Sequence, residues 1–119
     1  MIRLADLIPE GELRHTGPGI MKFSNAQRTA LQKLEYQLAH YQSMMHWNVI
    51  DYVDYKDGPD ETIAIKIEGP ETQIYIEPWV KNDATIRVFD KHGRVGSKVV
   101  NMSDVKGILR AIKIMTMRS

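Results

Sequence analysis

The stretch TIAIKIE, residues 62–68, constrains the fold of this chain more than any other. Ile63, Ile65 and Ile67 take every second position, with Ala64, Lys66 and Glu68 between them. A period of two places the isoleucines on one face of a β-strand and the charges on the other. One such strand cannot bury its apolar face alone, so it demands neighbouring strands and a second layer. Gly69-Pro70 marks a turn, and TQIYIEPWV then repeats the pattern, with Ile74 and Ile76 on one face and Tyr75, Glu77 and Trp79 opposite. Pairing Glu68 with Glu71 across that turn aligns Ile65 with Ile74 and Ile63 with Ile76. Pro78 has no N–H to give a ladder and marks an edge or a bulge.

The alternation continues in ATIRVFDKHGRVGSKVV, residues 84–100. Lys81-Asn82-Asp83 reads as a three-residue turn that sets Ile76 opposite Val88. His92-Gly93 reads as a two-residue hairpin turn with Gly93 at positive φ. That register sets Arg87 opposite Lys98 and Phe89 opposite Gly96. A further strand is expected from about Trp47. Trp47, Val49, Asp51, Val53 and Tyr55 share one face, and His46, Asn48, Ile50 and Tyr52 share the other, so its inward side is ambiguous.

Helical periodicity brackets these strands. In residues 24–47, Leu31, Leu34, Leu38, Tyr41 and Met45 recur at intervals of three and four, a single apolar stripe. Ser24 with Gln27 three residues on has capping-box spacing. At the other end Val105, Ile108, Leu109, Ile112 and Met115 form a second stripe behind a Ser103 cap, with Lys106, Arg110, Lys113 and Arg118 away from it. The expected fold is α+β: an antiparallel meander of four or five strands, flanked in sequence by an N-terminal and a C-terminal helix packed on one face. Residues 1–23, broken by Pro9-Glu10-Gly11 and Gly17-Pro18-Gly19, read as an irregular arm, and residues 24–119 as a single domain, which suits a chain of 119 residues.

Charge is segregated along the chain. Residues 51–77 carry eight acids against Lys56 and Lys66, a balance of −6, and residues 78–119 carry nine bases against Asp83, Asp90 and Asp104, a balance of +6. Either the basic segment meets an anionic partner, or the two segments neutralise each other within one chain or across a dimer. If the isoleucines face the helices, the other face of the sheet carries Lys66, Tyr75, Trp79, Arg87, Phe89 and Lys98. Cations beside aromatic rings suit a ligand with phosphate and a flat base. Equally, Tyr75 and Phe89 are a cross-strand pair covered by lysine and arginine stems.

The expected function is non-enzymatic binding of a phosphate-bearing ligand: a nucleotide signalling molecule, held by sequestration, or single-stranded nucleic acid. Arg87 and Lys98 would hold phosphate and Phe89 would stack. Arg110 would contact a base edge or phosphate, with Lys113 on the same helix flank, and Tyr75, Lys66 and Trp79 would complete the face. The alternative is a protein-interaction module, such as a small inhibitor or accessory subunit, using the acidic segment, Trp79 and the methionine-rich helix ends. Excess apolar residues at Ile114 or Met117 suggest a homo-oligomer.

Other chemistry finds no pattern here. The chain has no cysteine, which removes thiol catalysis and thiolate metal sites and fits a cytoplasmic setting. The N-terminus carries acids early and does not read as a signal peptide, and no apolar run is long enough to cross a membrane. His15, His40, His46 and His92 show no ligand spacing, and no cofactor is expected. GRVG, residues 93–96, matches the G-x-x-G of KH domains but falls in a hairpin, where that motif joins two helices. DYVDYKDGPDE invites a calcium reading, but Val53 and Tyr55 fall where oxygen ligands are needed, so a solvated acidic turn is expected.

Overall fold

The alternating isoleucines form the floor of the core. A computed structural model of the protein describes residues 23–55 and 62–117. It contains α1 (Asn25–Ala39), β1 (Val49–Tyr55), β2 (Thr62–Glu68), β3 (Gln73–Pro78), β4 (Asp83–Asp90), β5 (Gly93–Asn101) and α2 (Val105–Met117). The five strands make one antiparallel sheet in the order β1-β2-β3-β4-β5. The chain is thus an α+β meander with its two helices on one face of the sheet. Ile63, Ile65, Ile67, Ile74, Ile76, Ile86 and Val88 are buried beneath Leu31, Leu34 and Leu38 of α1 and Ile108, Ala111 and Ile112 of α2. The arm expected over residues 1–23 lies outside the described residues except for Phe23, as does the centre of the acidic turn, residues 56–61.

The capping box of α1 is present. The Ser24 hydroxyl accepts the Gln27 N–H at 3.0 Å, and the Gln27 side-chain oxygen accepts the Ser24 N–H at 3.1 Å. The Gln27 amide also donates to the Trp79 carbonyl at 3.0 Å, tying the start of the helix to the β3–β4 turn. The helix ends at Ala39, earlier than its apolar stripe implied. Residues 40–46 form turns, and His46 at φ 61° helps reverse the chain toward β1. The Gln42 amide satisfies the Trp47 and Asn48 carbonyls in this connection. Trp47 therefore drops into the core ahead of β1 and does not share the alternation of Val49 and Asp51, which are exposed. Ile50 opposite Ile67 and Tyr52 opposite Ile65 settle the inward side of β1.

Each hairpin register differs from the sequence expectation for a local reason. Glu68 pairs with Gln73, not Glu71, so Ile65 meets Ile76 and Ile67 meets Ile74. Pro70, with φ fixed near about −65°, suits the second position of a longer turn better than a two-residue hairpin of primed type. The loop is Gly69–Thr72, closed by the Gly69 N–H on the Thr72 carbonyl at 2.9 Å. The next turn is also displaced, and Ile76 faces Ile86 while Val88 faces Ile74. Both shifts are by two residues and keep every side chain on its expected face.

The β4–β5 hairpin is different. The Asp90 carboxylate accepts the His92 N–H at 2.7 Å, which centres the turn on Lys91-His92, with Gly93 (φ 119°) after it. Asp90 pairs with Gly93 and Phe89 with Arg94. A bulge then intervenes, so that Val88 pairs with Gly96, Arg87 with Ser97 and Ile86 with Lys98. The extra residue transfers Lys98 to the helix side of the sheet, contrary to its expected place beside Arg87. Gly96 lies under α2, where a Cβ would stand 3.5 Å from Met115 Sδ. The cap of α2 is Asp104, not Ser103: its carboxylate accepts the Gly107 N–H at 3.0 Å, while the Ser103 hydroxyl accepts from the Asn82 amide at 2.8 Å.

Candidate cationic and aromatic surfaces

Register builds the outer face of the sheet. Lys66 of β2, Tyr75 of β3 and Arg87 of β4 are successive partners and form one row across its centre. Phe89 pairs with Gln73 and packs its ring edge-to-face on Tyr75, with centroids 5.8 Å apart and planes at 79°. Such a pair adds about 0.5–1.5 kcal/mol beyond its buried area. Both rings are half-buried and remain reachable from solvent.

The two cations of this row are committed to carboxylates. Arg87 is only 9% exposed and its guanidinium lies 3.4 Å from the Glu77 carboxylate. Lys66 lies 3.5 Å from Glu68 on the same strand. Arg87 is thus a buried structural charge. Arg87→Met is expected to cost about 2 kcal/mol, because the Glu77 carboxylate keeps its desolvation and loses a neutralising charge. Chemical denaturation measures this, and a cost below about 0.5 kcal/mol would mean that the pair behaves like a solvated one.

The other expected site residues lie elsewhere. Trp79 follows the end of β3 and stands exposed in the β3–β4 turn. Lys98 is exposed on the helix side of β5. Arg110 and Lys113 project from α2, in the layer on the far side of the sheet from Phe89. Lys106, Arg110 and Lys113 share one solvent-facing flank of that helix, with Ile114 half-exposed beside them. The contact between Met115 and Gly96 shows α2 running back along β5, so the later turns of α2 lie over the first half of that strand.

Sequence reasoning missed Arg94. The bulge makes it the register partner of Phe89, and it is exposed. Its nearness to the hairpin turn was the available signal, but the register required the Asp90 hydrogen bond to be known. Lys91, Arg94, Lys98, Lys106, Arg110 and Lys113 are all exposed, and among the described residues none forms an ion pair.

A meander converts sequence position into lateral position. The acidic segment runs through β1 to β3 and the basic segment through β4, β5 and α2, so the charges of the described residues in these elements occupy opposite sides of the sheet. They meet at the β3–β4 seam, through Glu77 and Arg87. Among the described residues a second pair joins Arg28 of α1 to Asp54 of β1.

On the acidic side, burial and then the Asp51 carboxylate push the Glu35 carboxyl above its usual range. The folded state therefore holds that proton more tightly than the unfolded chain does. The group subtracts stability at neutral pH, and the loss is recovered as pH falls through the raised folded value toward the unfolded one. Glu35→Gln is accordingly expected to raise Tm at neutral pH, with the gain vanishing below the ordinary carboxylate range. Thermal unfolding of both proteins across pH reads this directly, and a gain independent of pH would contradict it.

Among the described residues no group of histidine, aspartate and glutamate has the geometry to hold a metal ion, and no helix is long and apolar enough to cross a membrane. Compared with protein-family models, with curated proteins and with solved structures, the chain matches none, so its chemistry is read from its own residues.

Proposed function

We propose that this protein is a non-enzymatic binder of a phosphate-bearing polyanion, held on the cationic side made by β5, its turn with β4 and α2. One observation carries the reading: six exposed cations without carboxylate partners among the described residues lie on that side, while Lys66 and Arg87 of the outer face are already paired. A polyanion holds condensed cations along its phosphates, and unpaired lysines and arginines that neutralise those phosphates release them to solution, which makes binding favourable and strongly salt-dependent. The spread of these cations over a strand, a turn and a helix suits an extended ligand better than a compact nucleotide enclosed by sequestration. The lack of cysteine supports a cytoplasmic setting. Ile114, 51% exposed next to Arg110 and Lys113, supports assembly with a second copy on that flank.

The test is titration with inorganic polyphosphate and with a labelled single-stranded oligonucleotide at two salt concentrations. Both should bind at low salt and weaken steeply as salt rises. Absence of binding by either at low salt overturns the reading.

The exposed Trp79-Val80 pair favours a second reading, a protein-interaction module. It gains if Trp79→Ser abolishes an association seen by sedimentation while anion binding is unchanged.

A further inference from the structure

The cationic side accounts for phosphate but not for the rings beside it. Phe89 sits at the end of the outer face nearest the β4–β5 turn, packed on Tyr75 of the central row, and Gln73 and Arg94 are its two register partners. Gln73 is exposed and its side-chain oxygen lies 3.5 Å from the Tyr75 hydroxyl. Edge-to-face packing uses one face of one ring and leaves the other ring's faces unused by the pair. Arg94 brings an exposed cation, unpaired among the described residues, across from Phe89, which Arg87 cannot do because it is buried against Glu77. Rings, an amide and a free guanidinium therefore converge at the edge of the cationic side.

We propose that Tyr75 and Phe89, with Arg94 across from them, form a stacking subsite for an unpaired base, so that the polyanion is single-stranded nucleic acid. This rests on the reading above and deepens it. A base lies on the ring face, and its phosphate reaches Arg94. The backbone continues along β5 toward Lys98 and α2. Stacking on aromatic side chains tolerates any base and requires that the base be out of a duplex. Duplex DNA presents phosphates to the same cations but no ring face. Polyphosphate presents charge alone.

The experiment compares three probes on the intact chain: a single-stranded oligonucleotide, its duplex and inorganic polyphosphate. Phe89→Leu keeps apolar bulk and removes the ring. It should weaken the single strand roughly tenfold and leave polyphosphate unchanged. Arg94→Ser should weaken the single strand and polyphosphate together. Unchanged polyphosphate binding is the control for folding, and if Phe89→Leu fails it, Tyr75→Leu takes its place. Equal affinity for single strand and duplex, with no effect of Phe89→Leu, overturns the stacking subsite while polyanion binding stands. Failure of all three probes overturns both. A dimer that Phe89→Leu dissociates, with no probe bound, assigns the rings to a second copy of the chain and also overturns the proposal.

Discussion

Ile76→Ala is expected to lower the free energy of unfolding by about 3 kcal/mol, within the range of about 2–5 kcal/mol for buried isoleucine truncations. Ile76 lies in β3, the middle strand, between Ile65 of β2 and Ile86 of β4, and all three are fully buried. The side chain meets the helix layer above and cross-strand isoleucines on both sides. The site cannot collapse from any direction without moving the sheet, so the cavity persists and adds to the lost transfer energy. In denaturant the midpoint should fall while the slope stays constant. Val99→Ala is the matched control. Val99 projects from the outer face of β5 and is 53% exposed, so its truncation should stay within about 0.5 kcal/mol. Similar costs at the two positions would contradict the assignment of inner and outer faces.

The second large effect falls on binding. Replacing Lys106, Arg110 and Lys113 together with serine removes three exposed cations and disturbs no ion pair among the described residues. Stability should change little. Each phosphate contact on a single strand contributes about 0.7 to the slope of log affinity against log salt, so three lost contacts reduce that slope by about 2. At low salt the affinity for an oligonucleotide should fall on the order of a hundredfold, because counterion release by these contacts is lost. The reading from salt dependence separates loss of phosphate contacts from loss of folding, since a misfolded fraction lowers the amplitude without changing the slope. An unaltered slope would place the polyanion elsewhere.

The isoleucine alternation carried the fold because it is redundant. Shifts of two residues in the β2–β3 and β3–β4 hairpins left Ile63, Ile65, Ile67, Ile74 and Ile76 on the buried face, so errors in turn length did no harm. The same redundancy was missing in β5. Residues 95–100, VGSKVV, place valines on both faces, and no apolar set there fixes the parity. One inserted residue at the bulge moved Lys98 from the outer face to the helix side and made Arg94 the partner of Phe89. The candidate site was therefore legible as residue types and not as a constellation. Tyr75 and Phe89 do meet, as a cross-strand pattern required. Arg87 could not be recognised as buried, because alternation assigns it to the outer face without showing how far its neighbours cover it there. The charge segregation was visible in the sequence, but its spatial meaning came only with strand order, which sets the described parts of the two segments on opposite sides of the sheet.

Amide chemical-shift mapping during titration with inorganic polyphosphate tests the central claim most directly. The account predicts shifts concentrated at Arg94, Lys98, Lys106, Arg110 and Lys113 along β5 and α2, suppressed by salt, with Asp51 and the rest of β1 stationary. Shifts confined to Lys66 and Arg87 at the centre of the outer face, or no shifts at low salt, would contradict it.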